Sequence, residues 1–457
     1  MMVKVTVYIP SYNYGRYLDQ AVQSVFNQTM GDWELIIIDD GSTDNTSELL
    51  QKYKQHRRTR IIEQENKGLN VTNNIALRLA NGSYLMRLDA DDYLDENALL
   101  ILSNILDTKP EVGLVYPDYY EVDADGEVLH LVRRKKIAVE VELLDLPAHG
   151  ACTMLRKELL MQIGGYIESF SCQDGYELWL RFIERFNPYN VNVPLFYYRQ
   201  HPSSLTSKQK KILETRRHIK EQFVKKNRSG GILRVLGVIP VTRNSVYSQN
   251  DPFIELGGKP LLWYTLESLK NCRLLDRVVV SSEDEEVLEY SSKFRGVETK
   301  RRKGGFNNSR LKMKDLLRKL LEQMAAEENY VCEAVCSLYI NTPLRKGHHI
   351  DKAINTMMIF DVDSVVSVQQ ELSHCYHHGR YGLETINNPD DGMRIERKGI
   401  YKENSAIYLS RTDVIRSGRL TGERNGHIIM LPEESIKINS AFDLWLVEKI
   451  LTEWQEV

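Results

Sequence analysis

Short, nearly continuous apolar runs alternate along this chain with stretches whose apolar positions recur every three or four residues. The runs read as strands buried on both faces, and the periodic stretches as amphipathic helices. In the first half the pattern predicts a strand over Val3 to Ile9, a turn rich in Pro, Asn and Gly from Pro10 to Gly15, and a helix from Tyr17 to Asn27. A strand over Glu34 to Ile38 follows, then a helix opened by Thr43 and running through Tyr53. Next come a strand Arg60 to Glu63, a loop Asn66-Lys67-Gly68 and a helix Asn70 to Ala80. Beyond a strand ending at Leu88, the pattern predicts a helix Asn97 to Leu106 and a strand Val112 to Tyr116. Strands alternating with helices predict α/β architecture with parallel pairing.

The pattern breaks at Asn227-Arg228-Ser229-Gly230-Gly231 and restarts with a strand Ile232 to Ile239, Pro240, a polar loop and a helix Leu261 to Lys270. Two α/β domains are therefore expected, residues 1–206 and 232–457, joined by a basic helical linker over 207–231. Lys208 to Arg228 carries nine Lys or Arg against Glu214 and Glu221, with Ile212, Ile219 and Phe223 at helical spacing. Such a helix has two readings, a solvated linker or a peripheral contact with an anionic membrane surface.

At 457 residues the chain has length for two full cores, and 42% hydrophobic with 27% charged residues is ordinary for a globular protein. A formal net charge of −3 argues against a nucleic-acid partner. No apolar run approaches the roughly 18 residues of a membrane span, and Met1-Met2-Val3-Lys4-Val5 enters a strand at once, so no signal peptide is expected. Six cysteines without a CxxC pair suit reduced thiols and a cytoplasmic location.

The chemistry concentrates at predicted strand ends. Leu88-Asp89-Ala90-Asp91-Asp92-Tyr93 places three carboxylates where one strand exits, and Ile38-Asp39-Asp40-Gly41-Ser42 repeats the arrangement upstream. Open α/β sheets bind ligands beyond the carboxyl ends of their strands. Crowded carboxylates repel unless a cation joins them, which points to Mg²⁺ or Mn²⁺ with a phosphorylated substrate. The bland alternative for Asp39 to Asp44 is a turn and helix cap. Asp123-Ala124-Asp125-Gly126 also spells DxD, but Asp-Gly between strand-like segments reads as a hairpin turn.

These residues resemble the family 2 glycosyltransferases of the nucleotide-sugar-dependent GT-A fold. The resemblance covers about Val3 to Thr206 and rests on VYIPSYNYGRYLDQAVQSVFNQTMGDWELIIIDDGSTDNT, ENKGLNVTNNIA, YLMRLDADDYLDENAL, the IGGY of Ile163 to Tyr166, QDGYELWLRF and YRQHPSSLT. It implies a donor site drawn from Pro10, Tyr12, Asn13, Asp39, Asp40, Gly68, Asn73, Asn74, Asp89, Ala90 and Asp91. Within it Pro10 and Tyr12 line the nucleobase pocket and Asp39 accepts a hydrogen bond from the base, commonly uracil. Asp89 and Asp91 would hold Mn²⁺ or Mg²⁺ against the diphosphate, with Asp92 as their neighbour, and His201 matches a position that in some members adds a ligand. Asp174 matches the base that takes the proton of the acceptor hydroxyl, with Glu177, one turn on, as its stand-in. The acceptor would be a glycan, a lipid-linked sugar or a protein. Two departures are visible: Asn73 stands where relatives often carry Arg, and Asp174 to Trp179 is one residue longer than the usual spacing.

From about Ile232 the chain resembles the cytidylyltransferases that activate nonulosonic acids. The matching pieces include Leu256-Gly257-Gly258-Lys259-Pro260-Leu261, Asn341-Thr342-Pro343-Leu344-Arg345 and Pro432-Glu433-Glu434-Ser435. The groups that family uses on a nucleotide triphosphate fall here on Thr242, Val246, Asp251 and Pro252, and its metal-binding Asp-Ile-Asp on Lys437-Ile438-Asn439. The resemblance thus implies two Rossmann-like α/β domains, an N-terminal GT-A glycosyltransferase domain and a C-terminal nucleotidyltransferase-like domain without its chemistry. The second would serve as a homo-oligomerising or stabilising unit, or recognise a sugar. A bifunctional enzyme and a non-catalytic scaffold are the alternatives. His374, Cys375, His377 and His378 are metal-type residues, but they lack a second matched pair.

Overall fold

The computed structural model describes residues 3–134, 150–170, 173–201, 209–226, 233–243, 251–302, 313–371, 373, 375–379, 382–386 and 400–454. The chain forms two compact units, one up to Arg216 and one from Arg217 onward. Both are Rossmann-like α/β units.

The N-terminal unit begins β1 (Val5–Ser11), α1 (Gly15–Phe26), β2 (Trp33–Asp39), α2 (Thr46–Leu50), β3 (Thr59–Glu63), α3 (Leu69–Leu79) and β4 (Tyr84–Arg87). It continues with β5 (Tyr93–Leu94), α4 (Ala98–Thr108), β6 (Val112–Val122), β7 (Val128–Val132), β8 (Met154–Arg156), α5 (Lys157–Gln162), α6 (Asp174–Ile183) and β9 (Asn187–Arg199). The sheet runs β3-β2-β1-β4-β8-β6-β9-β5, with β7 added on β6. Its first four strands are parallel. Val5, Val7, Tyr8 and Ile9 of β1 and Leu35 to Ile38 of β2 are buried on both faces, as helix-covered parallel strands must be.

Boundaries shift by a few residues from the sequence expectation, and two of the shifts have a local cause. The second helix opens at Thr46 rather than Thr43, because the preceding polar residues bind elsewhere. Thr43 N–H donates to Asn13 Oδ1 at 2.7 Å, while the Asp44 carboxylate takes Thr46 N–H at 3.0 Å and Gly15 N–H at 2.9 Å. The strand expected to end at Tyr116 runs on to Val122, its register on β9 shifting at Pro117/Asp118, where proline offers no N–H to the ladder.

α7 (Gln209–Lys226) follows. The C-terminal unit contains β10 (Val235–Pro240), a ribbon of β11 (Glu255–Leu256) and β12 (Lys259–Pro260), α8 (Leu261–Ser268), β13 (Arg277–Ser282), α9 (Glu285–Ser292) and β14 (Val297–Arg301). Then come α10 (Met313–Glu328), β15 (Ala334–Ser337), α11 (Gly347–Phe360), β16 (Ser364–Glu371), a ribbon of β17 (Tyr376–Gly379) and β18 (Gly382–Thr385), and β19 (Ile400–Arg411). α12 (Thr412–Arg416), β20 (Asn425–Ile429) and α13 (Ala441–Thr452) complete it. Its sheet runs β14-β13-β10-β15-β19-β16-β20. No helix among the described residues is long and apolar enough to cross a membrane.

Candidate active site

The central strand β1 organises the N-terminal site. Ser11, its last residue, lies in register with Asp39 at the end of β2, and Tyr8 with Arg87 at the end of β4. The two acidic strand ends therefore flank one strand and lie about 10 Å apart, two strand spacings. Leu88 N–H donates to Tyr8 O at 3.0 Å, carrying the DxD segment out beside β1.

Within that segment each carboxylate has a different partner. Asp89 is paired with Arg87 at 2.7 Å, and Asp91 Oδ2 lies 2.9 Å from Nε2 of His201. Asp92 is buried, and its Oδ1 accepts the Arg199 N–H at 2.9 Å. Ala90 is buried beneath them. The rings of Tyr14 and Tyr17 pack on the His201 ring at 5.7 and 5.3 Å between centroids. Burial, and then the charges of Asp91 and Asp89, push the Asp92 carboxyl well above the usual carboxylate range. Burial and the same carboxylates push the Tyr14 phenol above its ordinary value. Three carboxylates crowd at this strand end, and Asp89, Asp91 and His201 supply oxygen and imidazole donors of the kind a divalent cation takes.

Arg199, at the end of β9, is buried, and its guanidinium fans out. Nε donates to Asp91 O at 2.9 Å, Nη1 to Asp123 O at 3.2 Å and Ala124 O at 2.9 Å, and Nη2 to Gln20 Oε1 at 2.5 Å. Its face lies 4.8 Å from the Tyr17 ring centre. It thereby locks the DxD segment to the β6–β7 turn, where Asp123 Oδ1 accepts three successive N–H groups, from Asp125, Gly126 and Glu127. The DxD-like tetrapeptide there is the hairpin turn its Asp-Gly predicts.

Several sequence-predicted residues are turned to bracing. Asp40 takes Gln64 Nε2 at 2.7 Å, Lys67 N–H at 2.8 Å and Gly68 N–H at 2.9 Å, so both its oxygens hold the loop before α3. Asn13, at φ 61°, donates its N–H to Ser42 Oγ at 2.9 Å as well as accepting from Thr43. Gly41 is required here: φ is 81°, and a Cβ would stand 2.8 Å from Asn66 N. Asp39 Oδ1 accepts Ser42 N–H at 3.0 Å. Pro10 is half-buried and Tyr12 exposed at the rim of this turn.

On α3, Asn73 is buried within the unit. Asn74 staples the segment before α6, accepting from Tyr166 N–H at 2.9 Å and donating to Tyr166 O and Glu168 Oε1, both at 2.8 Å. Asp174 is the first residue of α6, immediately after Gln173 in the left-handed region at φ 61°. The Asp174 side chain lies outside the described residues. Glu177 is buried and paired with Arg181, Nη2 to Oε2 at 2.7 Å, and Arg181 also caps Ile163 O and Gly165 O at 2.8 and 2.6 Å. A buried carboxylate closed by a guanidinium is poorly suited to take a proton. Tyr14, Tyr17, Arg87 and Arg199 were not singled out in the sequence, although the YNYGRY and YRQH stretches contain three of them.

In the C-terminal unit, Thr242 Oγ1 accepts from Arg302 at 2.9 Å, Asp251 Oδ1 takes Phe253 N–H at 2.9 Å, and Lys437 Nζ donates to Ser405 Oγ at 3.0 Å. Val246 and His374 lie outside the described residues. Cys375, His377 and His378 form no metal-type trio among the described residues; the group that does is His348, His349 and Glu434, with ligand atoms within 4.8 Å. This is a hydrogen-bonded knot. Lys346 N–H donates to His349 Nδ1 at 3.1 Å, so Nε2 carries hydrogen and donates to Glu434 at 3.1 Å, while Lys346 Nζ sits 2.8 Å from the same carboxylate. Burial, with His349 and Arg217, pushes the His348 imidazole down to about 3, and burial lowers His349. Below pH 6.5 the unfolded chain binds protons there that the folded unit does not, so stability falls as pH drops from 6.5 toward 3. The melting temperature of the C-terminal unit is expected to decline across that window, and His348→Gln to flatten the decline.

Residues 6–164 match the model of Glycosyl transferase family 2, and residues 249–427 that of Cytidylyltransferase. The chain is 31% identical over 217 residues to a chondroitin synthase of Escherichia coli, covering 47% of this chain and 32% of that protein. It is 40% identical over 127 residues to a chondroitin synthase of Pasteurella multocida, covering 27% and 13%. It spans a third or less of these synthases. It is 27% identical over 222 residues to an Escherichia coli protein named UDP-Glc:alpha-D-GlcNAc-diphosphoundecaprenol beta-1,3-glucosyltransferase, covering 48% and 86%. Among solved structures, Staphylococcus aureus TarS 1–349 in complex with UDP-GlcNAc aligns at TM-score 0.42 and 18% identity, covering 48% and 66%.

Proposed function

We propose that this chain, which carries a family 2 glycosyltransferase domain ahead of a cytidylyltransferase domain, is a metal-dependent glycosyltransferase that moves a sugar from a nucleoside-diphosphate donor, UDP-sugar favoured, to a hydroxyl of a glycan, lipid-linked or protein acceptor. One observation carries the reading: Asp89 and Asp91 leave the sheet two strand spacings from Asp39, with β1 between them, and His201, just beyond β9, meets Asp91. A divalent cation held by Asp89, Asp91 and His201 would take up the charge that develops on the departing diphosphate. Asp39 faces the nucleobase at the far side of β1, and Tyr12 offers an exposed aromatic surface beside it. Arg199 and Arg87 keep the acidic segment in place.

The acceptor hydroxyl has a very high pKa, so a carboxylate must take its proton as the bond forms. Asp174 at the start of α6 is assigned that role, and a base opposite the leaving group makes the reaction inverting. Glu177, closed by Arg181, is left out. Asp174→Asn is expected to lower kcat by about 10²–10⁴-fold with little change in donor KM. A variant at full speed would remove the assignment, and NMR showing retained anomeric configuration would remove inversion. A panel of nucleotide sugars with Mn²⁺ or Mg²⁺, read by released diphosphate, tests the whole reading; no turnover of any donor overturns it.

The C-terminal domain is read as non-catalytic, because Thr242, Asp251 and Lys437 stand where a triphosphate and its metal would need other groups. Robust conversion of CTP with a nonulosonic acid would overturn that. Its role in assembly is measured by the molar mass of the full chain against one lacking the domain.

A further inference from the structure

We propose that the C-terminal unit binds a small phosphate-bearing anion in a cationic cavity at the start of α11, walled on one side by the second half of α7. The cavity measures about 760 Å³, within the range of small-molecule sites. Arg217 and Lys225 enter it from α7, Arg273 from the segment after α8, and Lys346 from the residue before α11. Two carboxylates, Glu221 and Asp351, also line it. Four cations against two carboxylates leave an excess of positive charge.

One of the carboxylates, Asp351, is moreover committed. Asp351 accepts the N–H groups of Arg273 at 3.0 Å and Leu274 at 3.1 Å and the Cys272 thiol at 3.1 Å, so it shapes the very segment that presents Arg273. Glu221 lies 3.9 Å from Arg217 on the same helix, a loose pair. Lys346 is the cation with a close carboxylate, Glu434. His348 also lines the cavity; burial first, then His349 and Arg217, lowers its imidazole to about 3.

The walls are built into the unit. Buried Lys220 bolts α7 to α11 through Thr356 Oγ1 at 3.1 Å and lies over the Phe360 ring at 5.2 Å, while Ile219 and Val224 are buried beside it. Gly347 lets the start of α11 approach the end of α8 closely: a Cβ there would stand 2.5 Å from Ser268 O and 2.7 Å from Asn271 C. Several cations converging on one concavity suit a ligand with multiple charged oxygens, and the guanidinium fork pairs well with phosphate. A membrane would instead engage a convex face. The basic stretch read in the sequence as linker or lipid surface therefore has a third use.

The test is titration of inorganic pyrophosphate into the full chain, freed of divalent cations on a chelating resin, by calorimetry and ³¹P NMR. Saturable one-to-one binding is expected. The double variant Lys225→Ala/Arg273→Ala, both side chains being exposed, should melt like the parent yet bind at least tenfold more weakly. Added salt should weaken binding, and Asp91→Asn should leave it unchanged, which separates this site from the proposed donor site. Absence of pyrophosphate binding at millimolar concentration, or equal binding by the double variant, overturns the proposal. So does binding to phosphatidylglycerol vesicles in place of pyrophosphate, which would make this face a membrane surface.

Discussion

Asp91→Asn is expected to cut sugar transfer by about 10²–10⁴-fold while leaving the metal-free protein at least as stable as the parent. The first effect follows from the proposed role. A bound divalent ion supplies several kcal/mol of charge stabilisation to the leaving group, and each 1.36 kcal/mol of barrier is about tenfold in rate. The second follows from the packing of Asp89, Asp91 and Asp92: burial first, and then the charges of Asp91 and Asp89, raises the Asp92 carboxyl well above the usual carboxylate range. Asparagine keeps an oxygen for His201 Nε2 but removes one of the charges that burden its neighbours. Steady-state kinetics and a thermal melt on the same preparation check both halves. Full activity would refute the metal assignment. Lost activity with a large drop in melting temperature would mean that Asp91 is structural.

Arg199→Ala is expected to destabilise the N-terminal unit by about 3–5 kcal/mol, a fall of roughly 10 °C for a unit of this size. Four acceptors receive its guanidinium: the carbonyls of Asp91, Asp123 and Ala124 and the side chain of Gln20. Hydrogen bonds from a charged donor are worth about 1.5–3 kcal/mol each, and buried acceptors left without a partner cost further. Stacking on Tyr17 and Tyr93 is lost as well. Arg199→Lys should recover under half of the loss, because an ammonium lacks the planar fork that reaches three elements at once. Because Asp91 O is one of the anchored carbonyls, kcat should fall in both variants beyond what unfolding explains. Denaturant melts with a Lys variant matching the parent would show that the fan of hydrogen bonds is dispensable.

Much of this was legible in one dimension. Apolar runs buried on both faces cannot be mistaken for amphipathic helices, so β1, β2 and their helices were read within a few residues. Carboxylates at strand ends were visible for the same reason, since an α/β sheet turns polar only where its strands leave the core. The pairing of Asp40 was not legible: its partners Lys67 and Gly68 are separated from it by a full strand and helix. Asn74, likewise, meets Tyr166 across the fold. Arg199 was in view inside YRQH, yet nothing in its neighbourhood along the chain indicates that Gln20 and Ala124 converge on it.

The chain by itself determined the order of elements, the division into two α/β halves and the placing of acidic residues at neighbouring strand exits, because hydrophobic period and turn chemistry are local. Only the tertiary structure decided which polar groups are spent as braces. It alone joined Arg217 and Lys225 to Arg273 and Lys346 around one cavity. A hydrogen bond or a charge pair is chosen by distance in space, and the spacing of residues along a chain does not encode that distance.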